Sequence, residues 1–107
     1  MDQTEIPVRH EFIAATGYWV RHLRDGGAAP RDDDGGPRRT VALGHRLSDT
    51  IPTYLADRLE AFLDEFWTLS QERWPLRGGK ATRSAALDRR VESLAETWLR
   101  LKRDLLD

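Results

Sequence analysis

The residues most able to do chemistry in this chain are its three histidines, His10, His22 and His45. Imidazole is the usual general base and metal ligand near neutral pH. His10 and His22 share one helical pattern twelve residues apart. On a helix they point about 120° apart and lie about 18 Å apart, so they cannot hold one metal. No H-E-x-x-H pair occurs, and both read as surface residues. The Asp32-Asp33-Asp34 run fits only the opening of a calcium loop. Pro37 stands where that loop needs Gly and Leu43 where it needs its closing Glu, so a solvated charge run is expected. Asp57/Glu60 and Asp64/Glu65 fall on a polar helix face. Ser48, Ser70, Ser84 and Ser93 lie outside any G-x-S-x-G elbow. Gly78-Gly79-Lys80 lacks the spacing and the Ser/Thr of a phosphate loop. The expectation is a chain with no catalytic set, no metal and no cofactor.

Arg39 and His45 enclose five residues. This R-x5-H spacing resembles the Arg/His motif of HEPN-type ribonucleases, small all-α domains that often act as dimers. The resemblance covers these two residues. It implies that Arg39 and His45 converge on an RNA phosphate to assist attack by the 2′-hydroxyl. A HEPN-like ribonuclease is therefore one alternative function.

A second alternative rests on charge. Arg73, Arg77, Lys80, Arg83, Arg89 and Arg90 gather around one predicted loop, with Trp74 beside them to stack on a base. Arg77, Lys80 and Arg83 are the candidate nucleic-acid contacts. Glu72, Asp88 and Glu92 are interspersed among them, and the net charge of −1 gives the chain no overall attraction to nucleic acid or to an anionic membrane.

The elements that would position these residues are helices. Val8, Phe12, Ala15, Trp19 and Leu23 form one stripe, which predicts a helix over 6–24 opening at Pro7. Gly17 inside it is either a tolerated defect or a point of close helix approach. Residues 25–38, rich in Gly, Pro and Asp, read as a flexible acidic loop. Residues 39–48 read as a connector, either a short helix or an extended piece. Leu55, Leu59, Phe62, Phe66 and Leu69 predict a helix over 50–73, with N-cap candidates in Ser48, Asp49 and Thr50 and a stop at Pro75. Leu87, Val91, Leu94, Trp98, Leu101 and Leu105 predict another over 83–106, capped by Thr82 or Ser84. The expected fold is all-α: a three-helix bundle of one domain, built on a long antiparallel hairpin.

An apolar fraction of 39% is too high for a disordered chain, and the absence of cysteine removes disulfide and thiolate chemistry. No run of about 20 apolar residues can span a bilayer, and the N-terminus lacks a signal-peptide pattern, so a cytoplasmic protein is expected. Arg far outnumbers Lys, which suits a GC-rich bacterial or phage genome. Leu63 and Trp67 widen the face of the second predicted helix, and Leu99 and Leu106 flank that of the third. This surplus makes Leu63, Trp67, Trp98 and Leu99 the candidate contacts to a protein partner or to a second copy in a homodimer. The primary expectation is a non-catalytic interaction or assembly subunit.

Overall fold

The structure is a computed structural model that describes residues 7–31, 35–75 and 80–107. All regular secondary structure among the described residues is helical: α1 (Val8–Asp25), α2 (Gly36–Ser48), α3 (Thr53–Arg73) and α4 (Ala85–Leu106). The all-α class stands, but the bundle has a fourth helix, α2, over part of the expected loop and all of the expected connector. The Asp32–Asp34 run and the Gly78-Gly79 turn lie outside the described residues.

The helix ends follow from local chemistry. Pro7 and Pro52 precede α1 and α3, where a missing N–H costs no hydrogen bond. None of Ser48, Asp49 and Thr50 caps α3. Ser48 ends α2, and the Thr50 hydroxyl turns back to donate to the Leu47 carbonyl at 2.8 Å. Ser84 does cap α4, its hydroxyl accepting the Leu87 N–H at 3.1 Å. Gly26 stops α1 in the left-handed conformation at φ 70°, a backbone state other residues adopt with strain.

Cross-helix pairs set the topology. Arg58 binds Asp104 and Arg73 binds Asp88, so α3 and α4 are antiparallel. Gly44 lies against Leu63 and His45 binds Glu60, which makes α2 antiparallel to α3. Phe12 packs on Trp98 and Arg24 binds Glu92, which makes α1 antiparallel to α4. The ring is therefore an up-down-up-down four-helix bundle, with α1 and α3 on one diagonal. Its core runs from Leu47, Leu55 and Leu105 through Phe12, Leu59, Phe62, Leu63, Phe66 and Trp98 to Leu23, Leu69 and Trp74.

Gly44 is a point of close helix approach. A Cβ there would stand 2.6 and 2.7 Å from the Leu63 methyls and 3.0 Å from the Phe12 ring. A Cβ on Gly17 would meet nothing within 4 Å, so of the two readings of Gly17 the tolerated defect fits, and a close approach occurs on α2. The two glycines predict opposite responses to the same change. Gly17→Ala gains helix propensity and is expected to raise stability by about 0.5–1 kcal/mol. Gly44→Ala gains the same propensity, but must push the buried Leu63 and Phe12 aside. It is expected to lose about 1–2 kcal/mol net. Paired urea titrations check this, and equal signs for the two variants would refute the tight α2–α3 crossing.

Candidate functional site

The two residues of the R-x5-H spacing do not come together. Arg39 Nη2 donates to Glu11 Oε2 of α1 at 2.8 Å, while His45 Nδ1 lies 3.0 Å from Glu60 Oε2 of α3. They sit on opposite flanks of α2, each tied to a carboxylate of a different helix. Six residues of helix separate them by about 9 Å along the axis and about 120° around it. Within the single chain Arg39 and His45 are not brought together. His10 and His22 stay apart on α1, and no group of three His, Cys, Asp or Glu able to hold a metal occurs among the described residues.

The basic cluster is largely consumed by internal contacts. Arg73 is 1% exposed rather than part of a phosphate-gripping surface. Its Nη2 donates to Asp88 Oδ1 at 2.9 Å and its Nη1 to the Thr82 carbonyl at 2.8 Å. Arg90 donates to Glu72 at 2.9 Å and to Glu65 at 3.3 Å. The hydrogen bond to Glu72 leads in raising the Arg90 pKa above its ordinary value, with the Glu72 charge, the Glu65 hydrogen bond and the Glu65 charge adding to it against desolvation. Arg83 Nη1 donates to the Gly26 carbonyl at 3.3 Å, and Lys80 and Arg89 remain exposed. Arg77 lies outside the described residues. Trp74 is no free stacking platform: it is buried edge-on against Trp19, and its indole N–H donates to the Gly27 carbonyl at 2.9 Å.

The surplus apolar surface resolves differently from expectation. Leu63 is buried under Gly44 of α2, the segment read from sequence as either a short helix or an extended connector. Trp67 shares a row with Glu60, seven residues earlier, on the flank that faces α2, and is half-buried there. Trp98 is buried between Phe12 of α1, 5.8 Å away between ring centres, and Phe62 of α3, at 5.4 Å. Leu63 and Trp98 are thus core residues, closed to a partner of the folded chain.

Leu99 is different. It is 63% exposed, and Leu106, one heptad further on, is 52% exposed. Both lie in the row of Glu92, seven residues before Leu99, whose carboxylate reaches Arg24 of α1 at 3.0 Å. The row Arg90, Thr97 and Asp104 instead faces α3, because its ends bind Glu65 and Arg58. Glu92, Glu96, Leu99, Arg103 and Leu106 are all exposed and share one stripe about 80° wide on the outer, α1-side face of α4. The inner face of α4 is spent on the core and its α3 flank on ion pairs. An open groove of about 400 Å³ runs along the α3–α4 seam, lined by Phe62, Leu94, Ser93 and Thr97. The two arginines at its edges, Arg58 and Arg90, are already held by Asp104 and by Glu65 and Glu72.

Leu106 is exposed like Leu99 but was not among the candidate partner contacts, although its heptad spacing from Leu99 was readable in the sequence. No helix of the described residues is long and apolar enough to cross a membrane. No protein-family model matches the chain, and no curated protein or solved structure matches it either.

Proposed function

We propose that this chain is a non-catalytic interaction module of the cytoplasm, a small helical subunit that joins an assembly through the outer face of α4. The observation that supports this reading is the pair of exposed leucines, Leu99 and Leu106, one heptad apart on a helix whose inner face lies in the core and whose α3 flank is held by ion pairs. A single exposed leucine is ordinary on a protein surface. Two in register on one stripe, bracketed by charge, form the apolar centre and polar rim of a helix-docking face. Polar positions would hold α4 in the bundle equally well, since neither side chain takes part in the core.

Site-specific photocrosslinking in the producing cell tests this. A benzophenone side chain at Leu106 is expected to yield a protein adduct, and Leu99→Glu in the same chain should remove it. The same probe at the exposed Arg46 of α2 serves as the background. Equal labelling from both positions, or an adduct indifferent to Leu99→Glu, would sink the reading.

A further inference from the structure

We infer that the partner on this face is a second copy of the same chain, docked with the two α4 helices antiparallel about a two-fold axis beside Leu99. This rests on the interaction-face reading above and names its occupant. The order of residues along the stripe points to this partner: Glu96, then Leu99, then Arg103, then Leu106. An acid precedes the central leucine by three residues and a base follows it by four. Reversing the direction of a second α4 brings Leu99 against Leu99 and Glu96 of each copy against Arg103 of the other. The offset between them is one residue, about 1.5 Å, well within side-chain reach. A two-fold interface makes each of these contacts twice. A parallel pairing would place Glu96 against Glu96 and Arg103 against Arg103, which is repulsive. The sequence order therefore selects the antiparallel copy.

The ion pairs of the isolated chain leave these two side chains free to exchange partners. Cross-helix pairs such as Arg58–Asp104, at 2.7 Å, and Arg39–Glu11, at 2.8 Å, are close. Among the described residues Glu96 pairs with Arg100 and Arg103 with Asp104, each at a long 3.8 Å. In the paired arrangement Leu106 comes to rest beside Glu92 and Ser93 of the other copy. Glu92 is fixed there by Arg24, so the carbon stems of that pair offer Leu106 an apolar surface. The overlap from Glu92 to Leu106 is about 21 Å of helix, less than a standard interface of about 1,600 Å² requires. The dimer is accordingly a reversible one that forms with rising concentration.

Sedimentation equilibrium over about 10 µM to 1 mM reads this directly. The wild-type mass should rise from one chain to two, and Leu99→Glu should hold it at one. Glu96→Arg and Arg103→Glu should each weaken association about tenfold, because each creates two like-charge contacts. The double variant Glu96→Arg/Arg103→Glu should recover to within about threefold of wild type. All three substitutions sit at exposed positions, and circular dichroism verifies that each variant keeps its helices. A wild-type chain that stays monomeric throughout overturns self-association. Single reversals without effect, or a double variant no better than the singles, overturn the antiparallel register. An adduct from the Leu106 probe that joins this chain to a different polypeptide overturns the second copy while upholding α4 as an interaction face.

Discussion

Phe12→Ala is expected to lower the free energy of unfolding by about 3–5 kcal/mol. Phe12 is fully buried, and its ring is where three helices meet. It belongs to α1, stands edge-on to Trp98 of α4 with an interplanar angle of 84°, and lies 3.0 Å from where a Cβ on Gly44 of α2 would be. Truncation removes the ring from water-free packing and leaves a cavity bordered by the Trp98 ring and the α2 backbone at Gly44. Rigid walls of that kind relax little, so the cavity term adds to the transfer term. Small domains carry about 5–15 kcal/mol in total, so this one change takes a large share of the stability. Tyr54→Ala, at a residue 68% exposed on α3, should stay within about 0.5 kcal/mol of wild type. Urea titrations with matched slopes would measure both. A Phe12→Ala loss below about 1.5 kcal/mol would mean that the α1–α2–α4 junction is not packed as described.

The second large effect is asymmetric. Arg73 is 1% exposed, whereas the side chain of its one carboxylate partner among the described residues, Asp88, is 46% exposed. Removing Asp88 leaves a buried guanidinium that cannot give up its proton, with the Thr82 carbonyl as its remaining partner. Its Nε has no hydrogen-bond partner among the described residues. Asp88→Ala is therefore expected to cost about 3 kcal/mol, far above the half a kcal/mol typical of a half-exposed position. Arg73→Met keeps most of the buried volume and removes the charge. It is expected to cost less than about 1.5 kcal/mol, since Asp88 then regains water. The double variant Arg73→Met/Asp88→Ala should consequently be more stable than Asp88→Ala alone. Chemical denaturation of the three variants closes the cycle. A double variant less stable than Asp88→Ala would show that the Arg73 charge is not what makes the loss of Asp88 costly.

Three of the four helices were readable from apolar spacing, with boundaries within about three residues, because the stripes of α1, α3 and α4 are long and regular. α2 was not. Gly36, Pro37 and Gly44 lower its intrinsic helix propensity, and thirteen residues make a marginal helix in isolation. Thr40, Leu43 and Leu47 do recur at helical spacing, and Pro37 suits a first turn, so a weak signal was present. What turns it into a helix is packing. Gly44, which argues against helix locally, is the residue that lets α2 approach Leu63 and Phe12. Recognising α2 moves Leu63 and Trp67 from surplus surface into or beside the core, and leaves Leu99 and Leu106 as the apolar surplus of α4.

Apolar period, caps and the order of charges along α4 are relations between residues a few positions apart, and the chain encodes them without reference to the rest of the molecule. The i, i+3, i+4, i+7 spacing set the helical class, and the succession Glu96, Leu99, Arg103 was legible in the same way. Burial is a different kind of property. Whether an apolar position is core or surface depends on which helix covers which flank, and that depends on contacts between residues far apart in the chain. Trp98 and Leu99 are neighbours in sequence and both apolar. One lies between Phe12 and Phe62 and the other faces water, because α1 and α3 close over one side of α4 and no other described helix covers the other.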